Sequence, residues 1–190
     1  MSENISPLKD KTVILGVTAG IAVYKAADLC SKLTSAGACV HVVMTPNAEK
    51  LISPKLFFTL SRNPVTTNLW EVTGDWVPEH VKLANTADLL IVAPATANFL
   101  GKFANGIADD ALTTTALAYE GTGKKILIAP AMNTAMWASP AVEKNCALLA
   151  ERKVSFAGPA RGNLACGTSG TGRMVEVPEI LEEAEKLLRS

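Results

Sequence analysis

The chain has no basic block, no long apolar run and no cluster of metal-ligating side chains, and each absence narrows its chemistry. Lysine and arginine together number 18, as do aspartate and glutamate, so the formal net charge is zero. A balanced chain without basic clusters is not built to track nucleic acid or to lie on an anionic membrane. The longest apolar runs, "LLIVAPA" and "ILIAPAM", have the length of buried strands and fall far below the ~20 residues of a membrane span. The first residues, "MSENISPLKD", lack the charged-then-apolar layout of a signal peptide. Residues 1–10 therefore read as a flexible N-terminus of a cytoplasmic protein. No CxxC pair occurs among Cys30, Cys39, Cys146 and Cys166, and the only histidines are His41 and His80. Cys39 and His41 share one face of a strand, but two ligands are too few for a closed zinc site, so no metal is expected. Cys30, Cys39 and Cys146 read as small hydrophobes packed in a core.

What is present is a repeating order of strands and helices. With 190 residues, of which 48% are hydrophobic, the chain can bury one sizeable core. "KTVILGVTAG" predicts a strand running into a Gly/Thr turn, and "IAVYKAADLCSKLTSAG" a helix stopped at Gly37. "CVHVVMT" is a second strand, which completes a βαβ unit. "SPKLFFTLSRN" predicts a helix with Ser53 as cap and Pro54 at its first position. Residues 63–80 read as irregular. "TADLLIVAPATAN" is a buried strand ending in a Pro/Thr/Asn loop, and "GIADDALTTTALAYEGTG" a helix stopped by Gly121 and Gly123. "KKILIAPAMN" is a further strand, "SPAVEKNCALLAERK" a helix capped by Ser139, and "VSFAGPA" a short strand. A glycine-rich loop and the amphipathic helix "VPEILEEAEKLLRS" close the chain. Continuous rather than alternating apolar runs mark strands covered on both faces. The fold class is one doubly wound α/β domain, Rossmann-like or flavodoxin-like, with helices on both faces of a parallel sheet. In such sheets ligands sit outside the carboxyl ends of the strands, here near Thr18, Thr45, Thr96, Asn98 and Asn133.

Taken singly, the polar residues at these ends leave alternatives open. "GVTAGIA" can hold a phosphate on backbone N–H groups at a helix N-terminus. It is not a GxGxxG fingerprint, and a plain βα turn fits as well. "PATAN" offers hydroxyl and amide groups, though an ordinary turn accounts for it. His80 can exchange protons at neutral pH, while a lone histidine near a helix start is commonly structural. Asn133 can donate to a carboxylate or simply cap a turn. Beside it, Met132, Met136 and Trp137 read as packing. Cys166 differs from the other cysteines: Gly162, Gly167, Gly170 and Gly172 surround it and make burial in a core unfavourable, and glycine-rich segments lose much entropy on ordering. Residues 160–174 therefore read as a mobile lid over the strand ends.

Together, "GVTAGIAVYKA", "EHVKLA", "APATANFLGKFANGIADDAL", "PAMNTAMW" and "GNLACGTSGTGRM" resemble the flavin-containing cysteine decarboxylases, most closely those acting on phosphopantothenoylcysteine. "PAMNTAMW" matches the PxMNxxMW block of that family at every fixed position. "PATANF" departs from its usual PASANT: Thr96 keeps a hydroxyl where serine is usual, and Phe99 removes one. The resemblance implies FMN bound between neighbouring subunits of a homotrimer, which in this family often assembles into a dodecamer. It implies Thr18, Ala19, Gly20 and Ile21 along the flavin phosphate and ring, Thr45 after the second strand, and Thr96, Ala97 and Asn98 from the third loop. It also implies His80 as the reacting histidine, Asn133 with Met132 and Ala165 as substrate contacts, and Cys166 as the reducing cysteine.

The chemistry so implied is decarboxylation of 4'-phosphopantothenoylcysteine to 4'-phosphopantetheine in coenzyme A biosynthesis. A saturated carbon does not release carbon dioxide easily, because the electron pair has nowhere to go. Oxidation of the cysteinyl thiol to a thioaldehyde supplies the sink, with the flavin as electron acceptor. A peptidyl-cysteine decarboxylase that releases an oxidised ene-thiol, and a flavin prenyltransferase, share the expected fold. "LACG" argues against the first, and "PAMN" with the Cys166 loop against the second. A flavin-binding regulatory subunit is the non-enzymatic alternative, and joint retention of His80, Asn133 and Cys166 argues against it. In many bacteria such a domain is fused to the ligase that makes its substrate.

Overall fold

The computed structural model describes residues 6–70, 77–163, 165, 167 and 169–190. Six strands form one parallel sheet: β1 (Thr12–Val17), β2 (Cys39–Met44), β3 (Val65–Thr66), β4 (Leu89–Ala95), β5 (Lys125–Pro130) and β6 (Ser155–Phe156). Their spatial order is β3-β2-β1-β4-β5-β6, and every pairing is parallel. The order reverses between β1 and β4, so the topological switch point lies at their carboxyl ends.

Alternation along the central strands feeds two cores. Val13, Leu15, Leu89, Ile91, Leu127 and Ala129 face one side, where α1 (Val23–Ser35) and α8 (Val177–Arg189) cover them. Ile14, Leu90, Val92, Ile126 and Ile128 face the other. There they meet α3 (Glu79–Thr86), α4 (Ala97–Ala104), α5 (Ala111–Glu120) and α7 (Pro140–Glu151). Gly16 on β1 has no side chain because α5 lies against it: a Cβ there would sit 2.6 Å from Leu112 Cδ1. Arg152, just past α7, grips Glu120 at 2.6 Å through both Nε and Nη2, and also donates to the Phe103 and Ala104 carbonyls. That fork ties α5, α4 and α7 into one layer.

The expected caps divide. Ser53 accepts from the Lys55 amide at 3.3 Å and opens α2 (Pro54–Ser61) with Pro54 in its first turn. Ser139 has the extended backbone of a cap, but its hydroxyl makes no capping bond. Gly37 stops α1 with φ +91°.

Four expectations need correction. Residues 6–10 are not a loose tail: Leu8 is buried, Ser6 Oγ donates to Glu185 at 2.8 Å, and the Asp10 amide donates to Gly37. Residues 1–5 lie outside the described part. The "PATAN" segment is not a loop beyond Thr96, because α4 starts directly at Ala97. Phe99, Leu100, Phe103 and Ala104 form its buried stripe, with Phe99 stacked on Phe103 at 5.6 Å. Cys39 is exposed at the start of β2, its sulfur 3.6 Å from His41 Nε2, because that strand end reaches solvent. Finally, the glycine-rich stretch forms a two-stranded antiparallel ribbon of β7 (Ala160–Asn163) and β8 (Ser169–Arg173). Backbone pairing needs no side-chain pattern, which is why glycines suffice.

Among the described residues no helix is long and apolar enough to cross a membrane, and no group of His, Cys, Asp and Glu could hold a metal ion.

Candidate active site

A cavity of about 490 Å³ opens at the switch point. Its floor comes from the turn after β1 (Ala19, Gly20, Ile21, Ala22), the start of α4 (Thr96, Ala97) and the turn after β5 (Ala131, Met132, Asn133). Tyr24 and Lys25 of α1, Met136 of α6 (Thr134–Trp137) and Asn163, Ala165, Gly172, Arg173 and Met174 of the ribbon region complete the lining. Of the expected site residues, Ala19, Gly20, Ile21, Thr96, Ala97, Met132, Asn133 and Ala165 are thus brought together.

Thr18 lies just beneath this floor. Its hydroxyl donates to the Pro94 carbonyl at 2.7 Å and accepts from the Thr96 amide at 3.1 Å. The bridge locks the β1 turn to the end of β4 across the switch point, so Thr18 shapes the cavity without lining it. Thr45 is also buried and off the lining; its hydroxyl accepts from the Ala48 amide at 3.3 Å. Asn98 is exposed on α4 and does not line the cavity.

Asn133 caps α6. Its Oδ1 accepts from the Ala135 amide at 2.8 Å, which fixes the orientation of the side chain at the cavity. Met136, expected to pack, is instead 48% exposed and lines the cavity.

Charge in this cavity is of one sign. Among its described lining residues Lys25 and Arg173 are cationic and none is acidic. Lys25 is buried; its Nζ donates to the Met174 carbonyl at 3.3 Å and pairs with Glu176 at 2.9 Å. Arg173 meets the same Glu176 oxygen at 3.3 Å. Two cations on one carboxylate hold Glu176 below the usual carboxylate range, with the Lys25 contact the larger cause. The N-termini of α1 and α4 open beside this cavity, where the helix dipoles favour an anion. Lys25 went unassigned from sequence, although a lysine in the buried register of α1 was a visible signal.

His80 is elsewhere. It lines a second cavity of about 530 Å³ with His41, Glu79, Lys82, Asn68 and Thr12. Burial lowers the His41 pKa, with Glu79 opposing and Lys82 adding to the effect. Cys166 lies outside the described residues. Burial raises the thiol pKa of Cys30 to about 11 and also raises that of Cys146, the inert behaviour expected of packed thiols.

A family model described as Flavoprotein matches residues 1–189. The chain belongs to the flavoprotein family. A coenzyme A biosynthesis bifunctional protein, CoaBC, from Bacillus subtilis (strain 168) is 49% identical over 179 residues, covering 94% of this chain and 43% of that protein. The chain spans less than half the length of the first curated relatives it matches. A solved PPC decarboxylase carrying a cysteine-to-serine substitution, complexed with pantothenoylaminoethenethiol, has a TM-score of 0.84 and 31% identity over 96% of this chain and 100% of that one. The FMN-dependent cysteine decarboxylase SpaF has a TM-score of 0.81 and 30% identity over 96% and 99%.

The residues present fit a flavin mononucleotide. Ala19, Ile21, Ala131, Met132 and Met136 supply an apolar wall for a planar ring, and the helix starts at Val23 and Ala97 suit one phosphate.

Proposed function

We propose that the protein is an FMN-dependent decarboxylase that converts 4'-phosphopantothenoylcysteine to 4'-phosphopantetheine in coenzyme A biosynthesis, in the cytoplasm. The observation that carries the reading is the switch-point cavity itself, in which Asn133, oriented by the Ala135 amide, shares the lining with two helix starts and an apolar wall that fits a flavin. When bound, FMN supplies two-electron redox chemistry, through which the thiol-bearing carbon becomes a thioaldehyde and gives the departing carboxylate its electron sink. Ala19, Gly20, Ile21, Thr96 and Ala97 hold the cofactor, while Thr18 braces the turns that carry them and Thr45 braces the turn after β2.

Asn133 orients the substrate carboxylate through its NH2 group, with Met132 and Ala165 alongside. His80 accepts or relays a proton. Its place in a second cavity supports a site shared between subunits, in which the His80 of one copy serves the Asn133 cavity of a neighbour. The exposed apolar side chains at the mouth, Ile21 at 68% and Tyr24 at 64%, support the same arrangement, since such a patch marks a surface to be covered. A homotrimer, the assembly that the family resemblance implies, gives every cavity such a neighbour, and a dodecamer is built from four of them. Cys166 would supply the proton as the two electrons taken up by FMN return to the ene-thiol left by decarboxylation, giving the saturated thiol and the oxidised cofactor.

Mass spectrometry of the product tests the reading. The expected product is the saturated thiol 4'-phosphopantetheine from a yellow, FMN-bearing protein. Release of an oxidised ene-thiol by the wild type points to the peptidyl-cysteine reaction type, and absence of decarboxylation overturns the proposal. Cys166→Ser should shift the product to the ene-thiol; unchanged formation of the saturated thiol removes Cys166 from the reaction.

A further inference from the structure

The turn that carries Asn133 is not held by its own residues alone. The Met132 amide donates to the Gly172 carbonyl at 2.9 Å, a backbone bond between the end of β5 and the ribbon strand β8. At Gly172, where φ is +148°, a Cβ would run into the Met132 carbonyl oxygen and come within 3.4 Å of the Asn133 carbonyl carbon. At Gly170, a Cβ would meet the Thr134 hydroxyl, with Thr134 Cγ2 at 2.8 Å and Cβ at 3.1 Å. The Thr134 hydroxyl is buried and has no hydrogen-bond partner among the described residues. It faces the bare Cα of Gly170, where only a residue without a side chain allows so close an approach.

The far end of β8 is anchored as well. Lys25 holds Met174 and Glu176 against α1, and Arg173 shares Glu176. Strand β8 is therefore fixed at one end to the helix that opens at the cavity, and lies flat against residues 132–134 at the other. Gly167, by contrast, has φ +81° with no described atom within 4 Å of where a Cβ would lie, so its positive φ is the feature that calls for glycine.

We infer that Gly170 and Gly172 are positioning residues for Asn133: they let the backbone of β8 serve as the template on which the Asn133 turn is set. The inference rests on the reading of Asn133 as the carboxylate contact. A methyl group at position 170 displaces Thr134, and with it the cap that orients Asn133. A displacement of about 1 Å at an orienting group costs on the order of 100-fold in rate.

The test uses the full-length FMN-loaded protein. Gly170→Ala should keep its flavin absorbance, lower kcat/KM for 4'-phosphopantothenoylcysteine by about 10- to 100-fold, and speed hydrogen exchange at the Met132 amide. Adding Thr134→Ala removes the two atoms nearest the new methyl. The double variant should return both readouts to within about twofold of Thr134→Ala alone. Wild-type kinetics and exchange in Gly170→Ala overturn the inference, as does a loss that the second substitution does not rescue. If Gly170→Ala yields no folded protein, recovery of folded protein in the double variant supports the template and its failure refutes it. If the wild type does not decarboxylate, the functional reading fails, while Met132 exchange and its rescue still decide the template.

Discussion

The two cavities differ in what one chain completes unaided. The switch-point cavity is assembled from the ends of β1, β4 and β5, with helix N-termini, two cations and an oriented amide in place. The second cavity collects His80, His41, Glu79 and Lys82 beside β2 and β3, with titratable groups of both signs. A parallel sheet brings its strand ends to one edge automatically, so the first cavity follows from topology. The second depends on where α3 lies and, on the present proposal, on a neighbouring copy. A fold can thus supply a binding site within one chain and leave its proton-transfer group to an assembly.

The strongest challenge to this contrast is Asn133→Asp. Aspartate still caps α6, so the fold survives, but the donor edge becomes a like charge against the substrate carboxylate. Steady-state kinetics should show a fall in kcat/KM on the order of 100-fold, with flavin absorbance kept; wild-type kinetics would refute the contact. Next comes co-expression of His80→Gln with Asn133→Asp. Each variant alone should be nearly inactive. Mixed oligomers should regain about a quarter of the sites by random assortment if the two cavities meet between subunits. No recovery in demonstrably mixed oligomers would place both residues in one chain's site.

Thr18→Val probes the first cavity's own frame. It leaves the Pro94 carbonyl and the Thr96 amide without the bridging hydroxyl, and should cost about 1–3 kcal/mol in denaturant unfolding and weaken FMN binding; unchanged stability would show the bridge to be dispensable. The smallest effect is expected at His41. Its pKa is lowered by burial, so the folded state disfavours the charged ring. That contribution is complete above the ordinary histidine value of about 6.5 and is lost as pH falls from there toward the lowered folded value. Thermal melts should therefore fall more steeply on acidification in the wild type than in His41→Gln; equal slopes would remove His41 from the pH response.

Most strands of the sheet were legible because burial on both faces leaves continuous apolar runs such as "LLIVAPA"; β3 was not, because its two residues lie in the stretch 63–80 that reads as irregular. Helix α4 was not, because Pro94, Thr96 and Asn98 look like a loop; the stripe of Phe99, Leu100, Phe103 and Ala104 was the counter-signal. The ribbon left no trace in side-chain periodicity, since its pairing is made by backbone groups. Gly170 and Gly172 read as freedom in the sequence, yet in the fold they mark crowding by Met132 and Thr134. Most first-cavity residues followed from strand-end logic together with the family resemblance. Lys25 was visible as a lysine in a buried helical register, but its role has meaning only once Met174 and Glu176 are seen to receive it. The separation of His80 from Asn133 could not be read at all, because linear order carries no distance.

The bond from Ser6 to Glu185 brings the two ends of the described chain together at the amino-terminal edge of the sheet, where Asp10 also meets Gly37. The switch-point cavity opens at the opposite edge. A label attached at Ser6 or Glu185 therefore sits at the edge of the sheet away from that cavity, so cofactor binding can be followed without the label obstructing entry.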